Sequence, residues 1–260
     1  MFEQWSETQV WATGAKLKAG QALAIATFHE HQIRSILPSH VQACVKGMSA
    51  RLAPATVKVY YNIVSSAFRA AVTDKVIAEN PCMGAKLLRE RRREAAMTIP
   101  TPEQLGEALE VAPDWFAPFV SVCAFAGLRL GEAAGLQLAD VDFLRRTVSV
   151  SRQIQGSTKA NAEVVPPKHG SERVVYVADE LIQVLAIHVQ TVGVFGDEKW
   201  LFGYGGTYFN RNSASGRWRQ VREVSGIGDF TLHDLRHFCA SGRVADGCDV
   251  VTVQRALGGC

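Results

Sequence analysis

The stretch TLHDLRHFCAS, residues 231–241, places His233, Arg236 and His237 within five positions. A helix advances about 100° per residue, so His233 and His237 would fall one turn apart on one face, with Arg236 beside them. Three chemistries fit that turn: a zinc site on the i, i+4 histidines, a solvated polar face, or an anion-binding site. A zinc hydrolase of this pattern calls for a glutamate beside the first histidine and for a third ligand. The neighbour here is Asp234, and no third ligand is evident in the sequence.

Two further stretches carry cations in telling places. In CAFAGLRLGEAAGLQLADVDF, residues 123–143, Arg129 follows an apolar run and Glu132 lies three residues on. An arginine there is costly to bury unless an anion meets it. That anion is either Glu132, giving a structural ion pair, or something outside the chain. In PPKHGSERVVYV, residues 166–177, Lys168 is expected at the tip of a hairpin, either as an ordinary solvated turn residue or as a presented cation.

Taken together, Arg129, Lys168 and Arg236 are three cations, and His233 adds an imidazole. That set suits a phosphodiester. Guanidinium groups bind non-bridging oxygens bidentately and stabilise the charge of the transition state. A histidine and a lysine move protons. The chemistry calls for no metal and no cofactor.

Positioning these residues requires two kinds of segment. Residues 1–88 read as helical. In APATVKVYYNIVSSAFRAAV, Val57, Tyr60, Val64, Ala67, Phe68 and Ala71 recur at helical spacing, and Asn80-Pro81 closes the segment. LPSHVQACVKGMS reads as a shorter helix that Pro38 can start, with Gly47 near its end. Residues 89–98 hold Arg89, Arg91, Arg92 and Arg93 and read as a basic linker. Such a run is either a solvated charge cluster or a strip that follows a phosphate backbone.

Residues 99–260 are mixed. Thr101-Pro102-Glu103-Gln104 is a helix start with a capping box. A helical pattern covers residues 102–127, strands are expected at 146–154 and 172–177, and helices at about 179–192, 211–224, 233–246 and 249–257. The fold class is therefore mainly α with a small antiparallel sheet, an α+β order without βαβ alternation.

The 260 residues are 47% hydrophobic and 20% charged, with a net charge of +3, which suits a globular chain and excludes a disordered one. So mild a charge does not by itself announce a nucleic-acid partner. The cysteines at 44, 82, 123, 239, 248 and 260 show no C-x-x-C spacing. No signal peptide opens the chain, and its most apolar stretch, residues 116–128, is too short to cross a bilayer. These features point to a cytoplasmic protein with reduced thiols and no membrane partner.

The order of the stretches resembles the tyrosine recombinases, in particular phage integrases of actinobacterial type. GLRLGE resembles the family's first arginine box and PPKHGSERVVYV its lysine hairpin. HDLRH resembles its H-x-L-R-H box, and DVVTVQRALG the approach to its final L-G-H segment. Residues 1–88 resemble the helical core-binding, SAM-like domain that clamps DNA, leaving 99–260 as the catalytic domain. The resemblance implies a site-specific recombinase acting on double-stranded DNA, with four protomers in the synapse. Its tyrosine attacks a backbone phosphate and leaves a 3′-phosphotyrosyl link. Carried over, Arg129 and Arg236 would clamp the phosphate, His233 would assist proton transfer, and Lys168 would be the general acid. Glu132 would brace the site and His237 would support Arg236. The pattern departs at Leu257-Gly258-Gly259-Cys260, where glycine stands in place of the family's histidine. The nucleophilic tyrosine lies beyond that point in the family, and none of Tyr60, Tyr61, Tyr176, Tyr204 and Tyr208 occupies its place. The expectation is an integrase chain truncated before its nucleophile. Its alternative is a DNA-binding module that does not cut.

Overall fold

The computed structural model describes residues 2–11, 13–28, 31–88 and 99–258, and the chain divides into two units, Met1–Ala95 and Ala96–Cys260. Arg89, Arg91, Arg92 and Arg93 lie outside the described residues.

In the first unit the helices are α1 (Phe2–Thr8), α2 (Thr13–Ile25), α3 (Pro38–Ser49) and α4 (Pro54–Thr73). Proline opens both α3 and α4, where its fixed φ suits the first turn and its missing N–H costs nothing. Val57, Val64 and Phe68 of α4 pack with Val41, Cys44, Val45 and Met48 of α3. Tyr60, expected on the same face, is half-buried, and its hydroxyl reaches Gln21 Oε1 at 3.1 Å. Asn80 fastens the segment after α4: its amide donates to the Ser65 carbonyl at 3.1 Å, and its oxygen accepts from Cys82 N–H at 2.9 Å.

The second unit begins with α5 (Pro102–Val111), capped reciprocally by Thr101 and Gln104 as the sequence predicts. The single helical pattern over 102–127 is two helices, α5 and α6 (Ala117–Phe125). Pro113 separates them, because the residue before a proline is driven to extended backbone, and Ala112 sits at ψ 137°. Seven consecutive residues of α6, Pro118–Ala124, are buried, as befits a helix apolar all round. It packs against α5, α7 (Leu130–Ala134), α8 (Asp179–Thr191) and α10 (Leu232–Ala245).

The strand expected over 146–154 is also two elements. β1 (Val141–Asp142), β2 (Thr147–Val150) and β5 (Arg173–Tyr176) form one antiparallel sheet in the order β1-β2-β5, and β3 (Gln153–Gln155) and β4 (Glu163–Val165) pair in another. The break falls at Ser151-Arg152, where Arg152 is held by Asp140 and β3 turns over α7. The tip of this long bent hairpin is residues 156–162, where Asn161 Oδ1 accepts from the Ser157 and Thr158 N–H groups. Lys168 is therefore not at the tip. It lies in a 3₁₀ turn, Lys168–Gly170, on the way back from β4 to β5.

A short hairpin follows, β6 (Gly203–Tyr204) with β7 (Thr207–Tyr208), and then α9 (Arg211–Ser225), α10 and α11 (Val250–Leu257). The core of this unit centres on Phe116, Phe119, Phe202 and Phe209, with ring centroids 5.1–5.6 Å apart. Mainly helical with small antiparallel sheets, the chain has the expected class. No described helix is long and apolar enough to cross a membrane.

Candidate active site

The opening stretch forms α10, and its first turn is fixed by its own side chains. Thr231 is the N-cap: its hydroxyl accepts from Asp234 N–H at 3.3 Å, and Asp234 Oδ2 accepts from Thr231 N–H at 2.6 Å. Asp234 is thus committed to the cap. His233 and His237 stack edge to face, with centroids 4.7 Å apart. Leu232, Leu235, Arg236 and Cys239 make up the buried residues of the helix. Arg236 is thereby carried into the protein at 8% exposure.

What receives it is backbone. Arg236 Nη1 donates to the Gly127 carbonyl at 2.6 Å, and Nη2 donates to the Leu257 carbonyl. Gly127 ends the α6 segment at φ +67°, in the left-handed region. A Cβ there would meet Leu257 Cδ2 at 2.3 Å.

Arg129 is the residue before α7. Its own N–H donates to Glu132 Oε2 at 2.9 Å, its Nη1 pairs with Glu132 Oε1 at 2.6 Å, and its Nη2 donates to the Gly258 carbonyl at 2.8 Å. Glu132 is 1% exposed. It is held by a second arginine that the sequence reading did not place in the site: Arg173, at the start of β5, with Nη2 2.9 Å from Oε2 and Nη1 3.2 Å from Oε1. Arg173 Nε donates to the Ala256 carbonyl at 2.8 Å. The signal that could have found Arg173 is strand alternation. It shares the inward face of β5 with buried Val175 while Val174 and Tyr176 are exposed.

The cluster therefore holds Arg129, Arg173 and Arg236 around one carboxylate and three successive carbonyls at the end of α11, and it is positive. Burial acts to raise the Glu132 carboxyl, but the hydrogen bond and charge of Arg173, joined by Arg129, outweigh it and hold it below its ordinary value. Burial, followed by the charge of Arg129, pushes Arg236 down to about 10, so it stays protonated at neutral pH. Desolvation, then His237 and Arg236, lower His233, which favours its neutral, proton-accepting form.

Of the expected site residues, the structure brings Arg129, Glu132 and Arg236 together. His233 and His237 stand on the same turn as Arg236. Lys168 is exposed, and among the described residues no hydrogen bond or ion pair joins its side chain to the cluster. No group of three His, Cys, Asp or Glu side chains is placed to hold a metal ion among the described residues. A surface cleft lined by Tyr204, Phe209, Arg217 and Gln220 shares no residue with the arginine cluster.

Comparison with known proteins places the site in a family context. The model of the family described as "Phage integrase family" matches residues 99–258. The prophage phiRv2 integrase of Mycobacterium tuberculosis is 24% identical over 240 residues, which covers 90% of this chain and 63% of that protein. The chain thus spans less than two thirds of the length of that relative. Among solved structures, the Tn1549 transposon integrase in complex with circular intermediate DNA superposes with a TM-score of 0.85 at 19% identity, covering 98% of this chain and 89% of that one. A lambda integrase tetramer bound to a Holliday junction gives a TM-score of 0.78 at 15% identity, covering 100% of this chain and 75% of that one. At such identities these structures are similar to the chain in fold.

Proposed function

The chain belongs to the phage integrase family, and on that premise we propose that it binds duplex DNA for site-specific recombination, holding a backbone phosphate with Arg129 and Arg236. The observation that carries this reading is the convergence of the two guanidiniums, from α7 and α10, on one turn at residues 257–258. Two fixed cations with fork-shaped donors match the non-bridging oxygens of a phosphodiester. They are held in advance by backbone, so they need little reorganisation when charge develops on phosphorus.

The remaining roles follow chemistry. Glu132 holds Arg129 from behind. His233, neutral at physiological pH, hydrogen-bonds the phosphate and accepts a proton, and His237 supports that turn. Lys168, exposed on its 3₁₀ turn, delivers a proton to the leaving 5′ oxygen. The relatives with DNA-bound structures support duplex DNA as the partner and an assembly of protomers on it. The helical first unit adds contacts to DNA of its own, and Arg89, Arg91, Arg92 and Arg93 supply cations for the phosphate backbone.

A second reading, that the residues described here hold DNA without themselves supplying the nucleophile, is favoured by the tyrosines. Tyr61 donates to the Cys82 carbonyl in the first unit, Tyr204 lies beneath Arg217, and Tyr208 reaches the Ala162 carbonyl. No hydrogen bond joins any of the five to the arginine cluster among the described residues. Fluorescence anisotropy on labelled duplexes tests the common part: Arg129→Ala and Arg236→Ala weaken binding. Indifference of both variants would remove the phosphate site. Incubation with a nicked suicide duplex then separates the readings by whether a covalent adduct forms.

A further inference from the structure

Three successive carbonyls at the end of α11 each receive a different arginine. Ala256 accepts from Arg173, Leu257 from Arg236 and Gly258 from Arg129. These are the orphan acceptors of a helix C-terminus, where cations are favoured. The three arginines are not equivalent, and counting donors shows why.

A guanidinium carries five N–H donors. In Arg173 the Nε hydrogen goes to Ala256, the Nη1 hydrogens to Glu132 Oε1 and the Ser171 carbonyl, and one Nη2 hydrogen to Glu132 Oε2. The side chain is 8% exposed. Its capacity is almost wholly spent inside the protein. Arg129 and Arg236 each spend only two Nη bonds on the described residues and keep their Nε hydrogens. They retain donors for a ligand, and Arg173 does not.

We infer that Arg173 is a positioning residue: it ties the Glu132 carboxylate to the end of α11, and thereby sets the turn against which Arg129 and Arg236 are aimed. The inference rests on the reading of Arg129 and Arg236 as a phosphate site. The packing supports it. Gly258, at φ +65°, lets the backbone close on Arg173, because a Cβ there would approach Arg173 Nη1 to 2.9 Å and Ser171 Cβ to 3.0 Å. Without Arg173, Glu132 loses its second cation and the Ala256 carbonyl loses its donor. The two following carbonyls are then free to drift, and with them the two clamp arginines. Lysine is a poor replacement, since a single ammonium cannot span both acceptors in the fixed fork geometry.

The test uses the full chain with ¹⁵N-labelled arginine, observed by NMR while inorganic phosphate or a short random-sequence duplex is added. In the wild type, the guanidinium signals of Arg129 and Arg236 shift with both probes. Those of Arg173 stay unmoved and protected from solvent exchange. In Arg173→Lys the Arg129 and Arg236 signals start from altered positions, and affinity for both probes falls about tenfold to a hundredfold, the scale of one lost hydrogen bond to a charged group. Leu105→Ala, a cavity in α5, which packs mainly against α6 and α9 rather than β5, serves as a destabilised control and keeps wild-type affinity. Arg173 signals that move with phosphate would make it a ligand contact and overturn the inference, and this wild-type measurement decides even if Arg173→Lys does not fold. Wild-type affinity in Arg173→Lys would overturn it as well. If Arg129 and Arg236 answer to neither probe, the phosphate reading itself falls, and the positioning role goes with it.

Discussion

Arg129 Nη2 donates to the carbonyl of Gly258 at 2.8 Å, across 129 residues of sequence. This one bond joins the start of α7 to the end of α11. It makes the position of a cation depend on where a distant helix stops. The phosphate site proposed here is therefore only as rigid as the approach of α11 to α6, and that approach rests on a glycine.

Gly127 is the point of contact. Its φ of +67° disfavours any side chain, and a Cβ would also meet Leu257 Cδ2 at 2.3 Å and Cys239 Sγ at 3.1 Å. Gly127→Ala is expected to cost about 1–3 kcal/mol from backbone strain and overpacking. It also moves the carbonyl that receives Arg236, so DNA affinity falls with it. Urea unfolding and anisotropy check both, and an unchanged urea midpoint would contradict the close approach.

Glu132→Gln removes the carboxylate that holds Arg129 and Arg173. Breaking a buried pair on one side costs about 3–5 kcal/mol. The pH dependence has a definite sign. The folded carboxyl lies below its unfolded value, so its stabilisation is fully present above about pH 4.3 and is lost as pH falls through the lower folded value. Unfolding curves at several pH values should show this acid loss in the wild type and a smaller one in Glu132→Gln.

Much of the fold was legible because local rules and tertiary structure agree. Thr101 with Gln104 and Thr231 with Asp234 mark helix starts in both sequence and structure. The long apolar faces of α4 and α10 follow their 3.6-residue period. The breaks were harder. Periodicity ran through Pro113 although the chain does not, and the alternation of 146–154 hid a bend fixed by Arg152 and Asp140, partners 12 residues apart. At Lys168 the sequence shows a turn but not which strands it joins. The role of Arg173 is not legible in the sequence because its acceptors, Glu132 and Ala256, are 41 and 83 residues away. The alternation that puts Arg173 on the same face as Val175 could have raised the question.

His188 makes a second pH prediction, outside the site. It is 2% exposed, its Nε2 lies 2.8 Å from the Leu201 carbonyl, and its Nδ1 is buried without a hydrogen-bond partner. Burial lowers its pKa, so the folded state keeps it neutral. Stability is lost as pH falls below the unfolded value of about 6.5, because the unfolded chain takes up the proton first. His188→Gln, whose amide can still reach Leu201, should flatten stability between pH 7 and pH 5. An equally steep decline in that variant would assign the effect to another group.

The run Arg91-Arg92-Arg93 gives a prediction about salt. Each phosphate neutralised contributes roughly −0.9 to the slope of log affinity against log salt. Reversing the charge of Arg91, Arg92 and Arg93 should flatten that slope if the segment follows the DNA backbone. An unchanged slope would make it a solvated charge cluster.

The last prediction contrasts the two kinds of cation in the proposed site. Lys168 is exposed and free of ties among the described residues, whereas Arg236 is buried and donates to two carbonyls. Lys168→Ala should leave stability within about 0.5 kcal/mol, as surface changes usually do. Arg236→Ala strands the Gly127 and Leu257 carbonyls and should cost about 1–3 kcal/mol for each acceptor left buried and unpaired. Charge-preserving exchanges sharpen the contrast. Arg236→Lys keeps the positive charge but cannot reach both carbonyls and a phosphate at once, so duplex affinity should drop. Lys168→Arg, in open solvent, should bind as the wild type does. Equal affinities for these two variants would mean that Arg236 acts on DNA through charge alone, and the pre-aimed fork would have no part in binding.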